Sequence, residues 1–167
     1  MREVKVYIAE IDGGREMSRR ERERGAVNGL VARELGAGVT ISHREDGSPV
    51  AAGFDGKISI SHSKDYVAVA THPRLRIGVD IEQPRIQLER VRSKFVATEE
   101  AFDSLDALLH AWTAKEAVYK AAGTPGVSLT EIVVDIKRGV AAARGRNYLI
   151  SFSRYAEAVV AVAVEGD

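Results

Sequence analysis

Two stretches of the chain echo each other, and the echo constrains the fold more than any other feature. Ile60-Ser61-His62-Ser63 leads into the Val/Ala run "YVAVATH", and Ile150-Ser151-Phe152-Ser153 leads into "EAVVAVAVE". "ELGAGVTI" and "KAAGTPGVSL" form a second, weaker echo in the same order. Each half also runs strand, helix or helices, then several strands. In the first half, residues 4–11 alternate as a strand closed by "DGG". Ser18 and Glu21 then make a capping-box pattern at a helix start; Ala26, Val27, Leu30, Val31 and Leu35 recur at helical spacing, and Gly36 supplies the stop. In the second half, "RLRIGVDIE" reads as a strand ended by Pro84. Residues 88–122 read as helical in two pieces, with Thr98 as a cap and Gly123, Pro125 and Gly126 as the stop. "LTEIVVDIKRG", "RNYLISFSR" and "EAVVAVAVE" follow as strands. A repeat of this size sets the architecture. The expectation is an α+β fold in one domain, 1–167. It would be made of two similar α/β half-domains, approximately 1–75 and 76–167, related by a pseudo-two-fold axis. The natural crevice of such a fold is the seam between the halves.

Composition narrows the function. Twenty-four Lys and Arg balance 24 Asp and Glu, so the basic excess that usually accompanies nucleic-acid or membrane-surface binding is missing. Without cysteine there is no disulfide framework, zinc-thiolate site or thiol nucleophile. The amino terminus alternates like a strand and lacks the apolar core of a signal peptide, and no stretch approaches the length of a membrane span. The expectation is a cytoplasmic protein without nucleic-acid or membrane partners.

"GVDIE" opens the second half. Successive strand side chains alternate faces, so Ile77, Val79 and Ile81 cover one face while Gly78, Asp80 and Glu82 line the other. The two carboxylates then lie roughly 7 Å apart along the strand. Like charges so close raise each other's pKa unless water or a cation lies between them. "LDALLHAWTAKEAVYKAAG" adds a third carboxylate. Leu105, Leu108, Leu109 and Trp112 form an apolar helical stripe that continues, four residues at a time, to Glu116 and Lys120. On an open surface Glu116 and Lys120 are an ordinary i,i+4 pair; at the foot of a buried stripe, ionised groups need a counter-ion or ligand. Three carboxylates and a lysine suit a hard cation engaged with phosphate.

"GVDIE" and "WTAKEAVYKA" together resemble the bipartite signature of the 4′-phosphopantetheinyl transferase superfamily, specifically its pseudo-dimeric, Sfp-like branch, which carries G-[IV]-D-[IV]-E and W-x-x-K-E-[AS]-x-x-K. "KFVATEE", "ISISHSKDYVAVA" and "DGSPV" are similar to flanking elements, and the resemblance spans roughly residues 18–130. It implies transfer of 4′-phosphopantetheine from coenzyme A to a serine of an apo acyl- or peptidyl-carrier protein, releasing 3′,5′-ADP. By the same resemblance Asp80, Glu82 and Glu116 would hold Mg²⁺, with Mn²⁺ as an alternative. Glu116 would also be a candidate base. Lys120 would neutralise charge on the transferred phosphoryl, with Lys115 close by. His62 would meet the 3′-phosphate of coenzyme A, together with Arg19 and Arg24 of the first helix. A fused pair of halves would act as a monomer. Two positions depart from the family pattern: Ser48 replaces the basic residue of the G-[KR]-P turn, and Ala97 stands where serine or threonine is frequent. Two other readings use the same groups. A metal-dependent phosphohydrolase or nuclease fits poorly with the neutral charge and with Pro84, which stands where D/E-x-K needs lysine. A catalytically silent carrier-protein or coenzyme-A binding module would have lost a metal carboxylate, and all three are present.

Overall fold

The computed structural model describes residues 3–12, 14, 16–123 and 126–166. Gly13 and Pro125, expected in the first turn and the helix stop, lie outside them. In chain order the elements are β1 (Lys5–Glu10), α1 (Arg19–Glu34), β2 (Thr40–His43), β3 (Pro49–Ala52), β4 (Lys57–His62), β5 (Tyr66–His72) and β6 (Ile77–Glu82). The short helix α2 (Gln87–Arg90), the long helix α3 (Leu105–Ala122), β7 (Val133–Asp135), β8 (Val140–Ala143), β9 (Arg146–Tyr155) and β10 (Ala158–Glu165) follow. Helices and antiparallel sheets are thus mixed along the chain.

The strands form a three-stranded sheet in the order β1-β5-β4, a five-stranded sheet β6-β10-β9-β8-β7, and the hairpin β2-β3. β4 and β5 pair as a hairpin, as do β9 and β10; β1 lies beside β5, and β6 lies beside β10. The segments that echo in sequence therefore occupy matching places in their sheets. β5 divides its burial by alternation: Val67 and Val69 pack with Val27, Leu30 and Val31 of α1, while Ala68 and Ala70 meet Ile77, Val79 and Ile81 of β6 and Val160 and Val162 of β10. This second cluster joins the three-stranded and five-stranded sheets, with small side chains on one receiving large ones from the other.

α1 begins as its sequence requires. Ser18 accepts from the Glu21 N–H, and Glu21 reaches back to the Ser18 N–H at 2.8 Å. α3 begins later than expected. Its cap is Ser104, which accepts from Ala107 N at 3.1 Å, and Thr98 caps no helix. The reason lies in Glu100, whose carboxylate turns inward to accept from Ala97 N and Val134 N, both at 2.8 Å, and so holds 97–100 as a turn. α3 closes on Gly123 in the left-handed conformation, φ 55°, which glycine adopts without strain. "LTEIVVDIKRG" is only partly strand, since Leu129–Glu131 is a 3-10 turn with its own capping box. Among the described residues no helix is long and apolar enough to cross a membrane.

Candidate active site

α3 lies unusually close to β6, and Gly78 is the reason. A Cβ on Gly78 would sit 1.8 Å from Ala117 O and 2.7 Å from Ala121 N. Glycine alone lets the helix backbone touch the strand. Alanine completes the approach: Ala114, Ala117 and Ala121 of α3 pack with Ala161 and Ala163 of β10. Asp80 and Glu82, on the same face of β6 as Gly78, are thereby brought against the Trp112–Glu116–Lys120 line of α3.

The contacts follow that line. Trp112 Nε1 donates to Glu82 Oε1 at 2.9 Å, and Lys120 Nζ donates to Asp80 Oδ1 at 2.8 Å and to Val79 O at 2.9 Å. Glu116 stands between them in sequence and within the field of Asp80, Lys120 and Arg85. Burial, and then the Asp80 charge, push the Glu116 carboxyl above its ordinary value, while Lys120 and Arg85 pull against them. Glu82 is raised by the same two causes, burial first. Asp80 is 5 % exposed. Its Oδ1 accepts from Lys120 and from Ser61 Oγ, the latter at 2.7 Å, whereas its Oδ2 is buried with no hydrogen-bond partner.

A buried carboxylate oxygen without a donor is costly, and hard cations take carboxylate oxygens. The orphaned Oδ2, in a site where burial and then the Asp80 charge raise Glu82 and Glu116, fits a divalent cation. Among the described residues no three His, Cys, Asp or Glu side chains are gathered closely enough to hold a metal by themselves. The remaining oxygens would have to come from substrate or water, which is the usual situation for Mg²⁺.

Two contributors were not visible in the sequence. Arg85 pairs with Glu82 Oε1 at 3.2 Å and lies over the Trp112 ring, 5.0 Å from its centroid. No motif marks it. Ser61 comes from the other sheet; the alternation of "KISISHS" places it on an inward face, but nothing local names its partner.

Lys115 departs from the expectation that it sits beside the coenzyme. Its side chain is wholly buried, paired with Glu100 and donating to Leu129 O at 3.2 Å. Neighbours in a helix are about 100° apart around its axis, so the residue next to Glu116 faces elsewhere. It holds 97–100 and the 3-10 turn onto α3.

The basic cluster forms in part. His62, half-exposed at the end of β4, has Nδ1 3.5 Å from Glu23 Oε1, and Arg19 Nε donates to the same oxygen at 2.6 Å. Arg19 also reaches Ser63 O at 3.5 Å. The structure thus brings Arg19 and His62 together around one carboxylate. Arg24 is exposed, with its charge acting on Glu21. Arg22, a neighbour in the same helix, instead carries a buried Nε with no hydrogen-bond partner. At the "DGSP" turn, Ser48 Oγ donates to Asp46 Oδ1 at 2.6 Å and accepts from Arg44 at 3.3 Å. A guanidinium therefore stands at the turn that lacks its expected basic residue.

No curated protein matches the chain. Residues 76–163, just over half of it, match the family model of the 4′-phosphopantetheinyl transferase superfamily. That span begins at the foot of β6 and takes in Asp80, Glu82, Glu116, Lys120 and the close helix–strand contact between them. By this match the chain belongs to the 4′-phosphopantetheinyl transferase superfamily.

Proposed function

We propose that the protein transfers 4′-phosphopantetheine from coenzyme A to a serine of an apo acyl- or peptidyl-carrier protein, in the cytoplasm, as a monomer of the pseudo-dimeric branch. The observation that carries the reading is the orphaned Asp80 Oδ2 beside Lys120, inside the family-matched span. The matching strand orders of the two sheets support a pseudo-two-fold relation of the halves, with the site at their seam.

Asp80, Glu82 and Glu116 would hold Mg²⁺, or Mn²⁺ in its place, together with oxygens of the coenzyme A pyrophosphate. When bound, such a cation supplies Lewis-acid stabilisation of charge on phosphoryl oxygens. The chain's own groups do the rest. Lys120, partly exposed at 28 %, can swing its ammonium from Asp80 to the pyrophosphate as negative charge grows there. Glu116 accepts the proton of the carrier serine. Its raised pKa brings it nearer to operating pH, where a general base is most effective. The serine oxygen bonds to the β-phosphorus as the bond from that phosphorus to the bridging oxygen breaks. 3′,5′-ADP leaves with the electron pair. Arg19 and His62, with Arg24 or its neighbour Arg22, would receive the 3′-phosphate of coenzyme A, which must displace Glu23 from the first two. Lys115 takes a supporting place, holding α3 in position through Glu100.

Intact-mass measurement of several apo carrier proteins, incubated with coenzyme A, Mg²⁺ and the protein, tests the reading. The expected result is gain of one phosphopantetheine, lost with chelator and with Asp80→Ala. Transfer by Asp80→Ala at the wild-type rate would overturn the proposed metal site. Hydrolysis of coenzyme A without carrier modification would overturn the transferase.

A further inference from the structure

We propose that Ser61 is a positioning residue: through its hydroxyl the first sheet aims the free oxygen of Asp80, in the second sheet, at the cation. This rests on reading Asp80 as a metal ligand. β6 is the edge strand of its sheet, and among the described residues no strand hydrogen-bonds to its outer side. Hydroxyls from β4 take that place. Ser59 Oγ accepts from Val79 N at 3.0 Å, and Ser61 Oγ accepts from Ile81 N at 3.4 Å. The two serines are 3 % and 5 % exposed.

A hydroxyl that accepts still has its own proton to give. Ser61 gives it to Asp80 Oδ1 at 2.7 Å; among the described residues Ser59 makes no such contact. Ser61 and Lys120 together hold Oδ1, so the carboxylate plane is fixed and Oδ2 is the oxygen left over. The two donors are not equivalent. Lys120 has a flexible stem and a phosphate to serve, whereas Ser61 has a short, buried side chain whose hydroxyl proton, among the described residues, goes to Asp80. When the ammonium moves to the pyrophosphate, the hydroxyl still orients Asp80. Hydrogen bonds of this supporting kind are worth about 10–100-fold in metal affinity or activity.

Ser59 provides the matched control, because its loss also removes an acceptor from a β6 N–H but leaves Asp80 untouched. Mn²⁺ binding to the free protein, followed by electron paramagnetic resonance, is compared for wild type, Ser61→Ala, Ser59→Ala and Asp80→Ala. The Mg²⁺ dependence of carrier modification is measured beside it. Ser61→Ala is expected to weaken Mn²⁺ binding about 10-fold and to raise the Mg²⁺ needed for half-maximal rate by the same factor. The rate at saturating metal should be largely recovered. Ser59→Ala should bind Mn²⁺ as wild type does, and Ser61→Thr, which keeps the hydroxyl, should restore affinity. If Ser61→Ala does not fold, Ser61→Cys, which keeps the volume with a weaker donor, carries the same expectation. Wild-type Mn²⁺ affinity in the Ser61 variant, or equal losses in both serine variants, would overturn the positioning role while the metal site stands. Undiminished Mn²⁺ binding by Asp80→Ala would overturn the metal reading beneath it.

Discussion

The helices α1 and α3 each cover a sheet but meet it differently. α1 sets Val27, Leu30 and Val31 against Val67 and Val69, large side chains on both surfaces. α3 sets Ala114, Ala117 and Ala121 against Ala161, Ala163 and the bare backbone of Gly78. β5 and β10 thus contrast: β5 turns Val67 and Val69 to the helix and Ala68 and Ala70 to the seam, whereas β10 turns Ala161 and Ala163 to the helix and Val160, Val162 and Val164 to the seam. Small residues forgo some buried apolar area. In return they let α3 descend until Lys120 and Trp112 touch Asp80 and Glu82 across the contact. α1, which packs through branched side chains, turns Arg19 and Glu23 to the His62 end of β4. Close packing at α3 therefore serves the site, while ordinary packing at α1 serves stability.

Gly78→Ala strikes the close contact directly. The added Cβ meets backbone at 1.8 Å, and backbone cannot yield as a side-chain tip does. The variant should lose about 3 kcal/mol of stability and essentially all transfer activity, measured by denaturant unfolding and intact mass. Unchanged activity would mean that the approach of α3 to β6 does not shape the site. Leu30→Ala tests the other helix. Its side chain is 1 % exposed, so a loss of about 2–3 kcal/mol is expected, with the Mg²⁺ requirement of the folded fraction unaltered. A shifted Mg²⁺ requirement would show that the α1 half supports the carboxylates through its core and erase the contrast. His62→Ala probes what α1 and β4 contribute to function. It should weaken coenzyme A binding about 10-fold, near the lower value of a hydrogen bond to a charged group, and leave 3′-dephospho-coenzyme A unaffected. Equal losses for both ligands would return His62 to a purely local role.

The smallest effect concerns pH. Glu82 and Glu116 have raised pKa values in the folded protein, burial being the main cause. Between the ordinary glutamate value of 4.5 and the raised ones, the folded state binds more protons than the unfolded. Stability therefore falls as pH rises through that window. Glu116→Gln removes one of the two groups. Relative to wild type, the metal-free variant should unfold at a higher temperature at neutral pH, and the difference should vanish below pH 4.5 as wild type becomes protonated. A variant that melts lower at neutral pH would show that Glu116 is held by favourable partners and not by a strained field.

Glu116→Gln also separates the two roles proposed for that residue. If it is chiefly a ligand, saturating Mg²⁺ should recover much of the rate. If it is chiefly the base, the rate should stay down by about 10²–10⁴-fold at any metal concentration.

The sequence by itself determined whatever depends on local geometry. Strand alternation placed Gly78, Asp80 and Glu82 on one face, and helical spacing put Trp112, Glu116 and Lys120 in line. Ser18 with Glu21 started α1, because a cap and its acceptor are three residues apart and need nothing else. The tertiary structure decided which of those faces meet. Lys115 adjoins Glu116 in sequence yet is turned away by the helix and taken by Glu100, which in turn moves the start of α3 from Thr98 to Ser104. Arg85 acquires a role only because Trp112 is folded beneath it. Ser61 meets Asp80 only where two separate sheets lie edge to edge. Periodicity along a chain fixes the direction of a side chain relative to its own element; the partner it finds depends on how near two elements can come. Here that distance was set by a glycine and a row of alanines, whose effect appears only once the helix is laid on the strand.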